Sequence, residues 1–231
     1  MKNIIRITAL VLLVALLVPV CVSCKKEEAA PSSASVIAEM YKNSAPTKAV
    51  SKTVQTTGDI VLSGTYTLVT GTIGGKAAAV YEEHYQEMRS VESGGESTTI
   101  YDYIKDSLYQ YVEGKGTRQL DVNTHNVISD WNPNGKTYAI EQGSFAINLN
   151  GNVTGEQYNG TTYTATVPQA NTKNVFGYEI AANVAVTVVN NGAEIISVRI
   201  EYNLPAEGEV KETHVVMDIE YTYDNERITL D

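Results

Sequence analysis

From Ser51 onward the chain is written in Val, Ile, Thr and Tyr with frequent turn residues, while Leu is scarce. Side chains of that kind suit a pleated, half-buried surface, so the texture restricts the fold to strands joined by turns. The clearest strand covers 59–70, where Ile60, Leu62, Tyr66 and Leu68 share one parity and Ser63, Thr65 and Thr67 the other. One face is therefore expected to look to a core and one to water. Asn-Gly occurs at Asn134-Gly135, Asn150-Gly151, Asn159-Gly160 and Asn191-Gly192. Between apolar runs this dipeptide signals a type I′ hairpin, whose central residues both need positive φ. Its best setting is 184–189, then Asn190-Asn191-Gly192, then 195–202. Near the end, 215–223 alternates, Asp224-Asn225 turns the chain and 228–230 closes it. The reading is mainly β, with about nine to eleven antiparallel strands in a single domain over 35–231. No repeat of fixed period points to a propeller or solenoid.

Two segments carry helical spacing. Ser35 can cap a helix over 35–43, with Val36, Ile37, Met40 and Tyr41 forming an apolar stripe that must pack on something, and Pro46 ends it. The stretch 76–89 (KAAAVYEEHYQEMR) places Ala77, Val80, Tyr81, His84, Tyr85 and Met88 at helical spacing. Its position between Gly74-Gly75 and Gly94-Gly95, in a series that otherwise reads as hairpins, favours a strand.

The N-terminus locates the protein. Lys2 and Arg6 precede an apolar run from Ile7 to Val20 and a small-residue site ending at Ser23. Pro19 interrupts the run, which falls short of the about 20 apolar residues a spanning helix requires, so 1–23 reads as a secretory signal. Cys21-Val22-Ser23-Cys24 resembles the lipobox of bacterial lipoproteins, in which the last Cys is diacylated and becomes the mature N-terminus. The plainer alternative is an ordinary cleaved signal with an incidental Cys. Removal of 1–23 takes away Lys2 and Arg6 and no acid, moving the net charge from −10 to −12. Two acyl chains, of the palmitate kind, make anchoring stable where one holds weakly. The segment 24–34 then reads as a lipidated Cys24 and a flexible tether, putting the domain in the bacterial cell envelope on the outer side of a membrane.

Chemistry is sparsely signalled. The acidic balance, 17 Lys and Arg against 27 Asp and Glu, offers no broad field to phosphate, so nucleic acid is not an expected partner. Cys21 and Cys24 are the only cysteines, which excludes a disulfide scaffold and a cysteine-rich zinc fold. His84, His125 and His214 lie in no HExxH or HxH setting, Gly135-Lys136-Thr137 lacks the first glycine of a phosphate loop, and no GxSxG occurs. The expectation is a protein that is not an enzyme and carries no resident cofactor. One pattern matches in full: Asp130, Asn132, Asn134 and, after Gly135 and five residues, Glu141 fit the calcium loop D-x-[DN]-x-[DN]-G-x5-E. A weak Ca²⁺ site and a plain Asn-Pro-Asn-Gly turn are the two readings; the few charged ligands and Pro133 favour the turn. Tyrosines supply the remaining candidate. Tyr101 and Tyr103, and Tyr109 and Tyr111, would gather on one side of a hairpin turning at Lys105-Asp106-Ser107. Such a wall can stack on a ligand or pack against the domain.

The order of lipobox, tether, one amphipathic helix over 35–43 and a long antiparallel series ending in 215–223 and 228–230 resembles the LolA/LolB lipoprotein-carrier fold and the related lipid-binding lipoproteins of mycobacteria. The segment Met217-Asp218-Ile219-Glu220-Tyr221-Thr222-Tyr223-Asp224-Asn225 is similar to the penultimate strand and turn of that group. The resemblance implies a strongly curved antiparallel sheet, an incomplete barrel, with the N-terminal helix packed on its concave face and an acyl chain between them. This chain departs in offering a single clear helix. The implied function is binding or transfer of a hydrophobic small molecule or lipid, with the membrane engaged through acylated Cys24; a module that docks a protein or glycan is the alternative.

Overall fold

The computed structural model describes residues 32–43, 46–93, 95–135, 147–208 and 211–223. Cys24 and the rest of residues 1–31, Glu141 and the closing segment 228–230 lie outside the described residues. Within the compact unit Ser32–Asp231, helix α1 (Ser33–Asn43) is followed by strands β1 (Lys48–Thr57), β2 (Ile60–Ile73), β3 (Lys76–Ser93), β4 (Glu96–Val112) and β5 (Gly116–Leu120). After the 121–153 segment come β6 (Thr154–Tyr158), β7 (Thr162–Val167), a 3-10 turn (Gln169–Asn171), the short helix α2 (Thr172–Phe176), β8 (Val184–Asn190), β9 (Ile195–Leu204) and β10 (Thr213–Thr222).

Among the described residues the ten strands form one antiparallel sheet in the order β5-β4-β3-β2-β1-β10-β9-β8-β7-β6. It is two meanders, β1–β5 and β6–β10, joined where β1 pairs with β10 from Lys48↔Thr222 to Thr57↔Thr213. The sheet is mainly antiparallel β and is not closed into a barrel, with β5 and β6 at its two ends. The 76–89 stretch is strand, as its flanking glycines indicated. β3 is paired along both sides, from Ile60↔Arg89 to Ile73↔Lys76 with β2 and from Ala78↔Val112 to Ser93↔Glu96 with β4.

The turns depart from expectation in an instructive way. The two-residue loop Gly74-Gly75 between β2 and β3 has φ of 55° and 77°, the double left-handed geometry of a type I′ turn. At Asn159-Gly160 and Asn191-Gly192, which do join β6 to β7 and β8 to β9, the asparagines keep negative φ, because His125 is the one described non-glycine residue with positive φ. Their side chains act instead. Asn159 Oδ1 accepts from Thr161 N–H and Thr162 N–H at 3.0 and 2.8 Å, and Asn191 Oδ1 accepts from Ala193 N–H and Glu194 N–H at 3.0 and 2.8 Å. These are side-chain-capped turns in loops longer than two residues. Asn150-Gly151 sits in a turn ahead of β6 and joins no pair of strands.

The core follows from register. Residues paired across the sheet share a face, so Tyr163, Ala165 and Val167 of β7 align with Val188, Val186 and Val184 of β8, and then with Val198 and Ile200 of β9. These residues are buried. On the same face α1 buries Ala34, Ile37 and Tyr41, spaced three and four apart and so lying along one side of the helix. The cap is Ser32 rather than Ser35: Ser32 Oγ accepts from Ser35 N–H at 3.2 Å, and a backbone group three residues into the helix is what an N-cap side chain reaches. Glu156 Oε2 accepts from Ala34 N–H at 3.0 Å, tying the same helix end to β6. The opposite face is polar on this half of the sheet, where Arg199 lies 3.5 Å from Glu201 and 3.6 Å from Asp218.

Two expectations for the other half fail. In β2 only Gly64 is buried, and the remaining residues are intermediate apart from the exposed Ile60, so the expected split into a core face and a water face is absent. The hairpin at Lys105-Asp106-Ser107 does not form, because Glu96–Val112 runs as one strand. None of the three is a glycine that would force a reversal, and β3 supplies each with a partner: Tyr85↔Lys105, His84↔Asp106 and Glu83↔Ser107.

Beyond β5 the chain folds back on itself, with Thr117 bridged to Asn132 and Leu120 to Val127. Arg118 lies 4.5 Å and Lys115 Nζ 5.3 Å from the Trp131 ring centroid, and Arg118 Nε donates to Gln110 Oε1 at 2.8 Å. Gly116 makes this closure possible. Its φ is 90°, and a Cβ there would sit 2.2 Å from Asn132 O and 2.5 Å from Pro133 Cα. Gly116→Ala is expected to destabilise the fold by about 3 kcal/mol, combining backbone strain with a backbone clash. Urea denaturation measures the loss, and red-shifted emission from Trp131, the single tryptophan, would show the fold-back detaching.

Candidate functional site

The face that carries the core does not stop where α1 stops. Ten strands at about 4.8 Å spacing span roughly 43 Å, whereas an eleven-residue helix is about 16 Å long. The buried cluster around α1 reaches Ala49 of β1 and Tyr221 of β10 and goes no further along β2 to β4. On those strands register places Leu62, Tyr66 and Leu68 of β2 beside Glu87, Glu83 and Tyr81 of β3, with Tyr85 beside Gly64. It then places Tyr103, Lys105, Ser107, Tyr109 and Tyr111 of β4 on the same face.

These rings are organised. Tyr66 and Tyr81 stack with centroids 6.3 Å apart and planes at 21°, and Tyr85 meets Tyr103 edge-on at 5.9 Å. The Tyr66 ring lies over Gly64, where a Cβ would stand 2.8 Å from its edge and hydroxyl, so the glycine is the floor of the ring's position. Tyr66, Tyr81, Tyr85, Tyr109 and Tyr111 are half-buried and Tyr103 is 51% exposed. The tyrosine wall read from the sequence therefore exists with different members. Tyr109 and Tyr111 share a face as expected, but a bulge between Glu87 and Met88 pairs Tyr101 with Met88, out of step with Tyr103 opposite Glu87. Tyr66 was read as part of the core-facing parity of 59–70 and not as part of the wall, and Tyr81 and Tyr85 were missed because 76–89 offered a helical period as well as a strand one.

Under α1 the same face is filled. Tyr41 and Tyr221 pack edge to face at 6.2 Å. The Tyr41 and Tyr163 hydroxyls are buried without a well-formed hydrogen bond. Burial pushes both ionisations up, with Tyr221 adding to the effect on Tyr41 and Glu156 on Tyr163. Burial likewise pushes Tyr221 up to about 12, and burial with the Glu194 carboxylate pushes Tyr223 up to about 12. A separate cleft of about 560 Å³ lies between α2 and the chain before β8. It is lined by Gln169, Lys173, Asn174, Glu179 and Ile180 among others, and Lys173 Nζ lies 3.5 Å from Glu179 Oε1 at its edge.

The other sequence candidates are dispersed. Asn132 is occupied as a turn residue, its backbone bridged to Thr117 and its Oδ1 accepting from Asn134 N–H at 3.0 Å. Asp130 and Asn134 are exposed nearby, and Glu141 is outside the described residues, as is Lys136 of the partial phosphate-loop match. Among the described residues no group of three or more His, Cys, Asp or Glu side chains is placed to hold a metal. His84 Nδ1 pairs with Asp106 Oδ1 across β3 and β4, and His214 Nδ1 pairs with Asn203 Oδ1 at 2.7 Å across β9 and β10. His214 Nε2 also lies 3.7 Å from Glu201 Oε1.

No family model matches the chain, and no curated protein matches it. Among solved structures the chain is similar to a DUF1329 family protein from Desulfovibrio piger, at 10% identity, covering 83% of this chain and 92% of that one with a TM-score of 0.27. It is also similar to a porin-like protein from Bacteroides uniformis, at 9% identity, covering 78% and 96% with a TM-score of 0.22. A structure of MucB in complex with MucA follows at 11% identity, covering 81% and 91% with a TM-score of 0.14. Likeness at this level says nothing of ligand or activity.

The buried phenols set an alkaline limit. Their ordinary ionisation lies near 10, so the folded protein keeps protons that the unfolded chain releases. The stability contributed by Tyr221 and Tyr223 is fully present below pH 10 and is lost as pH rises from 10 to about 12. Circular dichroism followed with tyrosinate absorbance should show unfolding and phenol ionisation together in that window, and Tyr221→Phe should shift the unfolding upward.

Proposed function

We propose that this chain is a bacterial envelope lipoprotein, anchored through acylated Cys24, that binds or passes on a hydrophobic ligand, a lipid or acyl chain, without catalysis. The carrying observation is that the sheet face sealed by α1 over β7 to β10 continues over β2 to β4 as half-exposed Leu62, Leu68, Tyr66, Tyr81 and Tyr85. A half-covered apolar face is what a lipid needs, and tyrosine suits it because the ring is apolar while the hydroxyl stays wet. An acyl chain covering about 200 Å² of it gains roughly 5 kcal/mol before the costs of association. The lipobox-like Cys21-Val22-Ser23-Cys24 supports an extracytoplasmic, membrane-attached setting.

A second reading has its own observation. The seam beneath α1 is packed by Ile37, Tyr41 and Tyr163, and the aromatic face is interleaved with Glu83, Glu87 and Lys105, which suits docking of a protein or glycan as well.

Mass spectrometry of lipids that co-purify with the full chain separates the two. Stoichiometric lipid is expected, with affinity reduced about thirtyfold in a Tyr66→Ala/Tyr85→Ala variant, since each of the two rings lost forfeits on the order of 1 kcal/mol. A chain that emerges empty and takes up no fluorescent fatty acid would sink the lipid reading. Cys24→Ser should move the protein out of the membrane fraction; unchanged sedimentation with membranes would refute the anchor.

A further inference from the structure

Glu83 is an awkward residue for a surface that receives only hydrocarbon. Register sets it directly opposite Tyr66 on one side and Ser107 on the other, with Tyr81 and Tyr85 two residues away along β3 on the same face. Directly opposed side chains start about 5 Å apart, and same-face neighbours on one strand about 6.6 Å apart, so all three rings are within reach of the carboxylate. Glu83 is half-buried, and among the described residues it is in no salt bridge. Lys105 lies on the same face opposite Tyr85, and Glu87 lies four residues along β3. The Tyr66 hydroxyl is raised by burial and then by the Glu83 carboxylate and Tyr85, which marks the closeness of these groups.

A half-buried carboxylate with no ion-pair partner in contact loses hydration with little in return, and Lys105, one diagonal away on the same face, makes no salt bridge with it. Aromatic rings present negative faces, and several of them around an anion make the receptor that organic ammonium groups recognise. We propose that Glu83 with Tyr66, Tyr81 and Tyr85 binds the ammonium group of an amine-headed or cationic lipid whose acyl chain lies along the rest of this face. The inference rests on the reading of β2 to β4 as a lipid surface and adds the headgroup. Charge complementarity selects this occupant over an anionic lipid, because the face carries two carboxylates, Glu83 and Glu87, against the one ammonium of Lys105.

The test uses the full chain in nonionic detergent, with tyrosine ring signals followed by NMR while decyltrimethylammonium or decyl sulfate is added, two probes with the same tail. The Tyr66, Tyr81 and Tyr85 rings should respond to the ammonium probe at about tenfold lower concentration than to the sulfate. Glu83→Gln should erase that preference. Glu82→Gln removes the same charge from the opposite face, facing Thr67 and Leu108, and should leave it intact. Equal response to both probes would overturn the headgroup assignment while leaving the lipid face standing. A preference lost equally in Glu82→Gln would trace it to net charge and overturn the assignment too. No response to either probe would take the lipid face down with it, and tighter binding of a lysine-rich peptide than of the ammonium probe would overturn a lipid as the source of the cation.

Discussion

The pairing of β1 with β10 is the constraint on which everything else depends. It joins strands from opposite ends of the described chain along ten paired positions, reinforced by Thr57 and Thr213 hydroxyls 2.7 Å apart and by Thr47 N–H donating to Thr222 O at 2.9 Å. Without it each meander would present a long unpaired edge, a template for pairing with other chains. With it, one continuous face runs from β6 to β5, and the core side is the same for both halves. Closing a loop of this length costs little more than closing one half as long, but contacts so distant in sequence make folding slow.

A continuous face and the short helix α1 that covers part of it together create the candidate site. The helix seals only as much of the sheet as its length allows, and Ile37 and Tyr41 fill that part. What remains is built from tyrosines rather than valines: the β7 to β9 core is a lattice of Val184, Val186, Val188 and Val198, while β2 to β4 present Tyr66, Tyr81, Tyr85 and Tyr103. Valine wants to be dry, and a phenol tolerates a wet edge. The composition of the face changes at the point where the helix no longer covers it, which is why we read the change as functional and not as incomplete packing.

The strands, the helix and most turns were legible in the sequence. Alternating Val, Ile, Thr and Tyr announced the ladder, and Gly74-Gly75 and Gly94-Gly95 bracketed β3 correctly against its helical period. The tyrosine pairs at Tyr109 and Tyr111 were legible too. The Lys105-Asp106-Ser107 hairpin was misread because three polar residues look like a loop until a partner strand is known; His84 opposite Asp106 turns that stretch into an ordinary paired segment. The Asn-Gly signals located two real hairpins and misjudged their mechanism, since an asparagine can shape a turn through its side chain as well as through its backbone.

Local chemistry in the chain determined which residues would be extended, where it would reverse, that the N-terminal segment carries a lipobox-like cysteine, and that no familiar catalytic motif is present. Only the tertiary structure decided which faces meet, that the first and last described strands pair, and that register sets Glu83 opposite Tyr66 and between Tyr81 and Tyr85 on one face. Strand parity distinguishes two faces of a ribbon by a two-residue period, but which face becomes interior, and how far one helix can cover it, depends on partners remote in sequence.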